Sequence, residues 1–211
     1  MQVKDAIKYG IEKLNTSESK KIDSEILLCK VLKCVRTNLY TCPEKKISDI
    51  EKIIFKDLID LRSKGYPIAY IIKQKEFWNQ TLYVNENTLI PRPETELLVE
   101  ISLKLQSLYS FNKILELGTG TGAIAIAIAS EKPEISILVT DIRRDILEIA
   151  KKNVKLCKIE NIKFLESDWF ANINSSNYDL IVSNPPYICS GDPILENSDI
   201  RYEPTTSLVS G

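Results

Sequence analysis

The chain reads as a small all-α bundle followed by an α/β domain built on a parallel sheet. Three observations carry this. From Val3 to about Arg62 apolar residues recur at helical spacing. Beyond Pro93 short apolar runs alternate with longer periodic stretches, and the first of those runs feeds a glycine-rich turn that opens a helix. Strands alternating with helices in this rhythm mean parallel strands joined by right-handed crossovers, a doubly wound sheet.

In the front segment, Ile22, Ile26, Leu27, Val31 and Leu32 form one series, and Ile50, Ile53, Ile54, Leu58 and Leu61 another. Each fits one face of a helix. Asp23 and Asp49 are the predicted N-caps, Pro43 falls in a connection, and Gly65 with Pro67 closes a bundle of about four helices. The first domain is thus expected over residues 1–67. Residues 68–92 change character: Tyr70, Ile71, Phe77, Trp78, Leu82, Tyr83 and Val84 are broken by Asn79-Gln80 and Asn85-Glu86-Asn87, which predicts short strands in a hairpin linker. Residues 93–211 form the α/β domain. It opens with a helix over Glu94–Leu108, places strands at Lys113–Leu117, Ser136–Thr140, Ile162–Leu165 and Asp179–Val182, and carries a helix over Ala123–Ser130.

Composition removes several classes of function. With 44% hydrophobic and 27% charged residues the chain is globular. No run approaches the ~20 apolar residues of a membrane helix, and the opening MQVKDAIKYG is charged where a signal peptide is apolar, so a cytoplasmic location and no membrane partner are expected. The five cysteines, Cys29, Cys34, Cys42, Cys157 and Cys189, never take CxxC spacing, which predicts reduced thiols and no metal site. There is no histidine, so Ser/His and Cys/His nucleophilic mechanisms are excluded. Residues 1–75 hold 16 Lys+Arg against 10 Asp+Glu, a balance of +6, whereas the remainder stands at −7. A basic front suits an acidic partner, or reflects solvated helix faces.

Three motifs carry chemistry. Ile114 to Gly122, ILELGTGTG, is a buried strand running into a GxGxG turn: Gly118, Thr119, Gly120, Thr121 and Gly122 let the backbone approach a ligand, and the helix that follows presents free N–H groups. The spacing differs from the GxGxxG of dinucleotide-binding proteins and, as ExGxGxG, resembles proteins that bind S-adenosylmethionine (SAM). Asp141 closes the second strand where a carboxylate reaches ribose hydroxyls, or caps a helix. Asp168 and Trp169, in Ser167-Asp168-Trp169-Phe170 after the third strand, can accept the adenine amino group and pack on the base, although the two aromatics fit a plain core equally. Last, Ile181-Val182-Ser183 ends in Asn184-Pro185-Pro186-Tyr187. Two prolines fix the backbone at a strand end. The Asn184 side-chain oxygen and the Pro185 carbonyl can each accept an N–H, while Tyr187 packs on a flat amide. An amide nitrogen is a poor nucleophile, so orientation is what such a site must supply.

RSKGYPIAYIIKQKEFW (62–78), LIPRPETE (89–96), ELGTGTGAIAIA (116–127), SDWF (167–170), SNPPYI (183–188) and the earlier IDSEILLCKVL (22–32) resemble, in order and spacing, the release-factor glutamine N5-methyltransferase (HemK) family. The resemblance implies a helical domain that docks substrate, a hairpin linker and a Rossmann-like SAM-dependent domain. It implies methylation of the glutamine side chain in the GGQ motif of class 1 peptide chain release factors by a monomer. By motif, Gly118 to Gly122, Asp141, Asp168 and Trp169 would bind SAM, and Asn184 to Tyr187 would hold the amide, with Asn184 touching both. Lys73 stands where the family usually shows glycine. The family also resembles seven-stranded methyltransferases, whereas about four strands precede Ser207–Gly211. A truncated domain of low stability, with an uncovered edge beside Asp179–Val182, is therefore expected. Other readings remain at this point: methylation of a nucleobase amine, which the helical domain and PRPETE disfavour, a release-factor binder without turnover, and a nicotinamide dehydrogenase, for which NPPY would have no role.

Overall fold

The computed structural model describes residues 1–15, 17–174, 177–196 and 199–210. Gly211, at the end of the third predicted segment, lies outside them. The chain divides into two compact units, Met1–Ile72 with Glu196–Tyr202, and Lys73–Leu195 with Glu203–Gly211.

The first unit contains α1 (Val3–Lys13), α2 (Lys20–Leu32), α3 (Arg36–Thr41), α4 (Asp49–Ser63) and α5 (Ile68–Ile72). Its core is Val3, Ala6, Leu14, Leu27, Leu28, Leu39, Ile47, Phe55, Ile59 and Ile71. The buried faces differ from those expected. Ile22, Ile50, Ile53, Ile54 and Leu61 are exposed, and α4 packs through Phe55 and Ile59. Periodicity alone could not choose between the two apolar faces of α4, and the core took the aromatic one. The caps differ too. Ser48 is the N-cap of α4, accepting from the Glu51 amide while Glu51 returns to the Ser48 amide, and Asp49 is the first helical residue. α2 starts after Ser19, and Asp23 is buried inside it. Charge pairing makes that burial tolerable: Arg62 Nε donates to Asp23 at 2.8 Å, and the buried Glu25 accepts from Arg36 and from the Tyr40 hydroxyl. Asp199 and Tyr202 belong here because Arg62 also donates to Asp199 at 2.8 Å and Tyr202 packs edge-on against Tyr66.

Ile68–Ile72, expected as strand, is helical. Pro67 presets the first turn, its carbonyl accepts from the Tyr70 and Ile71 amides, and burial of Ala69, Tyr70 and Ile71 overrides the β-branched composition.

The second unit opens with the hairpin β1 (Gln74–Phe77) and β2 (Gln80–Tyr83), paired antiparallel. A 3₁₀ turn, Pro93–Thr95, then leads into α6 (Glu96–Tyr109). The strands and α-helices that follow are β3 (Lys113–Leu117), α7 (Ala123–Glu131), β4 (Ser136–Asp141), α8 (Arg144–Leu156), β5 (Ile162–Glu166), β6 (Leu180–Ser183) and α9 (Thr205–Leu208). The four later strands form one parallel sheet in the order β5-β4-β3-β6, as the alternating pattern predicted. β3 is flanked by β4 on one side and β6 on the other, so strand order reverses at β3. Ligands of open α/β sheets bind outside the carboxyl ends of strands at such a switch point. β6 lies at an edge among the described strands, with Ile181 half exposed.

α7 is buried from Ala123 to Ala129, an apolar helix enclosed on every side. One buried polar residue ties the layers together: Asn153 of α8 accepts from the Tyr83 amide at 2.7 Å and donates to the Tyr83 and Thr121 carbonyls at 3.0 and 2.9 Å. The hairpin and the glycine turn are thereby held to one helix.

Candidate active site

The glycine turn follows β3 directly. Gly118, Gly120 and Gly122 have φ of +68°, +56° and +82°, which only glycine adopts without strain. They differ in what surrounds them. A Cβ on Gly122 would lie 3.2 Å from Ile126 Cδ1, whereas one on Gly118 or Gly120 meets no protein atom within 4 Å. Gly122 therefore serves helix packing, and the other two border open space.

That space is a cavity of about 470 Å³ at the carboxyl ends of β3, β4, β5 and β6, within the range of small-molecule sites. Its wall includes Gly118, Thr119, Gly120, Thr121, Asp141, Asp168, Trp169, Asn184, Pro185 and Pro186. Motifs from four separate segments are thus brought together. Gly122 is not in the wall, and Tyr187 is an exposed residue outside it.

The polar groups are ordered by the turn. Asp141 Oδ2 accepts from the Gly120 amide at 3.1 Å, and its Oδ1 accepts from the Arg143 amide at 3.3 Å. Burial raises the Asp141 carboxyl above its ordinary range against the pull of those amides. Glu116, fully buried at the end of β3, accepts from the Thr119 hydroxyl at 2.9 Å, and burial pushes its pKa up to about 8. Trp169 is half exposed at φ +45°, with Phe170 exposed beside it. On the opposite side, Asn184 Nδ2 donates to Thr95 Oγ1 at 3.4 Å, and Ser183 Oγ donates to the Leu117 carbonyl at 3.0 Å.

Sequence reading missed Glu116 as a wall residue, although it opens the ExGxGxG pattern. It also missed Leu89 and Pro91 of the LIPRP segment and Ile142 and Ile146 after Asp141, which make much of the wall apolar. Thr206 and Ser207 also line the cavity, and nothing local in the sequence marks them. Among the described residues no group of three or more His, Cys, Asp or Glu could hold a metal ion, and no helix is long and apolar enough to cross a membrane.

Residues 5–72 match the PrmC N-terminal domain family and residues 93–195 the Methyltransferase small domain family. A release factor glutamine methyltransferase of Aliivibrio fischeri is 45% identical over 213 residues, covering 100% of this chain and 75% of that protein. The chain belongs to the release factor glutamine methyltransferase family. The Escherichia coli member is 41% identical over 210 residues, again covering 100% of this chain and 76% of its own length. Among solved structures, the hMettl16 catalytic domain in complex with MAT2A 3'UTR hairpin 6 matches 77% of this chain and 58% of that one with a TM-score of 0.50, at 17% identity. That likeness concerns the fold. By family the chain is a SAM-dependent methyltransferase, and the residues forming its cavity suit that cofactor. Two glycines border open space, an acidic side chain ends β4, and apolar Ile142 and Ile146 lie beside it.

Proposed function

We propose that this protein transfers a methyl group from SAM to the side-chain nitrogen of the glutamine in the GGQ motif of a class 1 release factor, acting as a cytoplasmic monomer. The observation that carries this reading is the union, in one cavity, of the glycine turn after β3 with the Asn184-Pro185-Pro186 strap after β6.

When bound, SAM supplies a methyl group already activated by its sulfonium. Gly118 to Thr121 would border it closely, Asp141 would accept ribose hydroxyls, and Asp168 and Trp169 would receive the adenine. The chain's own task is then to place the nucleophile. Asn184 Oδ1 and the Pro185 carbonyl would each accept one N–H of the glutamine carboxamide, holding the nitrogen in line and favouring the partial positive charge it gains during transfer. Tyr187, exposed and next in sequence to Pro186 of the wall, would pack on the flat amide as substrate covers it. No general base is needed before transfer, because the nitrogen loses its proton more readily afterwards, which accords with a chain that has no histidine. The basic balance of residues 1–75 suits docking of an acidic release factor.

The test is transfer of a tritiated methyl group from SAM to purified release factor. Label is expected on the natural factor and not on one whose GGQ glutamine is replaced by alanine. Label on both, or on nucleic acid alone, contradicts the assignment.

A further inference from the structure

Asn184 acts only if its side-chain amide is the right way round. A glutamine carboxamide offers N–H groups, so the Asn184 oxygen must face it; the reverse orientation sets NH₂ against NH₂. In the structure the Asn184 nitrogen is taken up elsewhere, donating to Thr95 Oγ1 at 3.4 Å. Thr95 ends the 3₁₀ turn Pro93–Thr95 and is tied to its base, its amide donating to the Arg92 carbonyl at 3.0 Å. That base is clamped in turn by Glu203, a residue more than a hundred positions away in sequence. Its almost fully buried carboxylate accepts from the Ile90 amide at 3.0 Å and from the Arg92 guanidinium.

We propose that Thr95 is a positioning residue that fixes the Asn184 carboxamide with its oxygen toward the cavity, and that Glu203 holds the turn presenting Thr95. The inference rests on the function proposed above only in assigning the acceptor role to Asn184. The chain of contacts explains a service for the PRPET segment, of which only Pro91 reaches the cavity wall. It also explains why a carboxylate is buried at position 203: it fixes a turn from which the orientation of a distant side chain follows.

The experiment compares Thr95→Val, which keeps the shape and removes the acceptor, with Thr95→Ser, which keeps the hydroxyl, and with Glu203→Gln. Thr95→Val is expected to lower kcat for methyl transfer about tenfold with the SAM dissociation constant unchanged, and Thr95→Ser to restore most of the loss. Glu203→Gln is expected to lower kcat in the same direction. A Thr95→Val enzyme with wild-type kcat, a loss that serine does not restore, or an equal loss of SAM affinity would each overturn the proposal. A second readout needs no turnover. In protein labelled with ¹⁵N at asparagine, the Asn184 side-chain amide protons should exchange with solvent faster in Thr95→Val than in wild type or Thr95→Ser. Unchanged exchange refutes the positioning role even if the wild-type chain fails to methylate a release factor, a failure that would count against the proposed function alone.

Discussion

Replacing Gly120 by alanine separates binding from folding, because the structure assigns the two costs to different causes. At φ +56° an L-residue costs about 1–2 kcal/mol relative to its preferred backbone, but the added Cβ meets no protein atom within 4 Å. For a chain of this size each 1 kcal/mol lowers Tm by about 2–4 °C, so the variant should melt about 2–8 °C below wild type and remain folded at 25 °C. The same methyl group borders the cavity, where it competes with the cofactor, and SAM affinity should fall at least about tenfold, roughly 1.4 kcal/mol. Gly122→Ala is the matched control. Its Cβ presses on Ile126 and lies near Ala150, away from the cavity wall, so it should cost more stability while the folded fraction keeps its affinity. Thermal unfolding with and without SAM, followed by calorimetric titration, reads both quantities. A folded Gly120→Ala protein with wild-type SAM affinity, or a Gly122→Ala protein that loses as much affinity as Gly120→Ala, would refute the division.

Three further outcomes follow from the same geometry. Asn153→Leu strands the Tyr83 amide and the Tyr83 and Thr121 carbonyls in the interior, so chemical denaturation should show a loss of about 2–4 kcal/mol; a loss below about 1 kcal/mol would mean those groups find other partners. Lys73 has φ +58°, a left-handed backbone that strains a residue with a Cβ, and Lys73→Gly should raise stability by about 0.5–1 kcal/mol once glycine's greater unfolded freedom is set against the relief, a gain that urea midpoints resolve and whose absence would show the lysine to be unstrained. Glu116 carries a carboxyl whose pKa rises from 4.5 unfolded to about 8 folded. The folded state then holds more protons, and the stability linked to this group is full below the unfolded pKa and is lost as pH rises toward 8; Glu116→Gln should flatten the stability profile between about pH 5 and pH 8, and an unchanged slope would show the carboxylate to be charged in the fold.

The sheet was legible because each strand is a short apolar run closed by a polar or glycine turn: Lys113–Leu117 by Gly118, and Ser136–Asp141 by the carboxylate that ends it. NPPY and GTGTG were legible because proline and glycine constrain backbone by their covalent structure, independent of their surroundings. What escaped reading depends on partners far away in sequence. Asp23 and Glu25 look like surface charges of a helix until Arg62, Arg36 and Tyr40 are in place. Ile68–Ile72 has strand composition, and only its burial among α2 and its neighbours makes it a helix. Glu203, Thr206 and Ser207 carry no local signature, and Thr95, though it lies inside LIPRPETE, shows nothing of its role locally, since these contacts exist only once the chain has brought Glu203 to Ile90, Thr95 to Asn184, and Thr206 and Ser207 to the cavity wall.

The central claim is that this cavity methylates a glutamine side chain, and tandem mass spectrometry of the release-factor peptide containing GGQ tests it most directly. After incubation with this protein and SAM, the account predicts one added methyl group on the glutamine side-chain nitrogen, lost when Asn184→Ala replaces the wild-type enzyme. A methyl group on any other residue, or equal modification by Asn184→Ala, would contradict it.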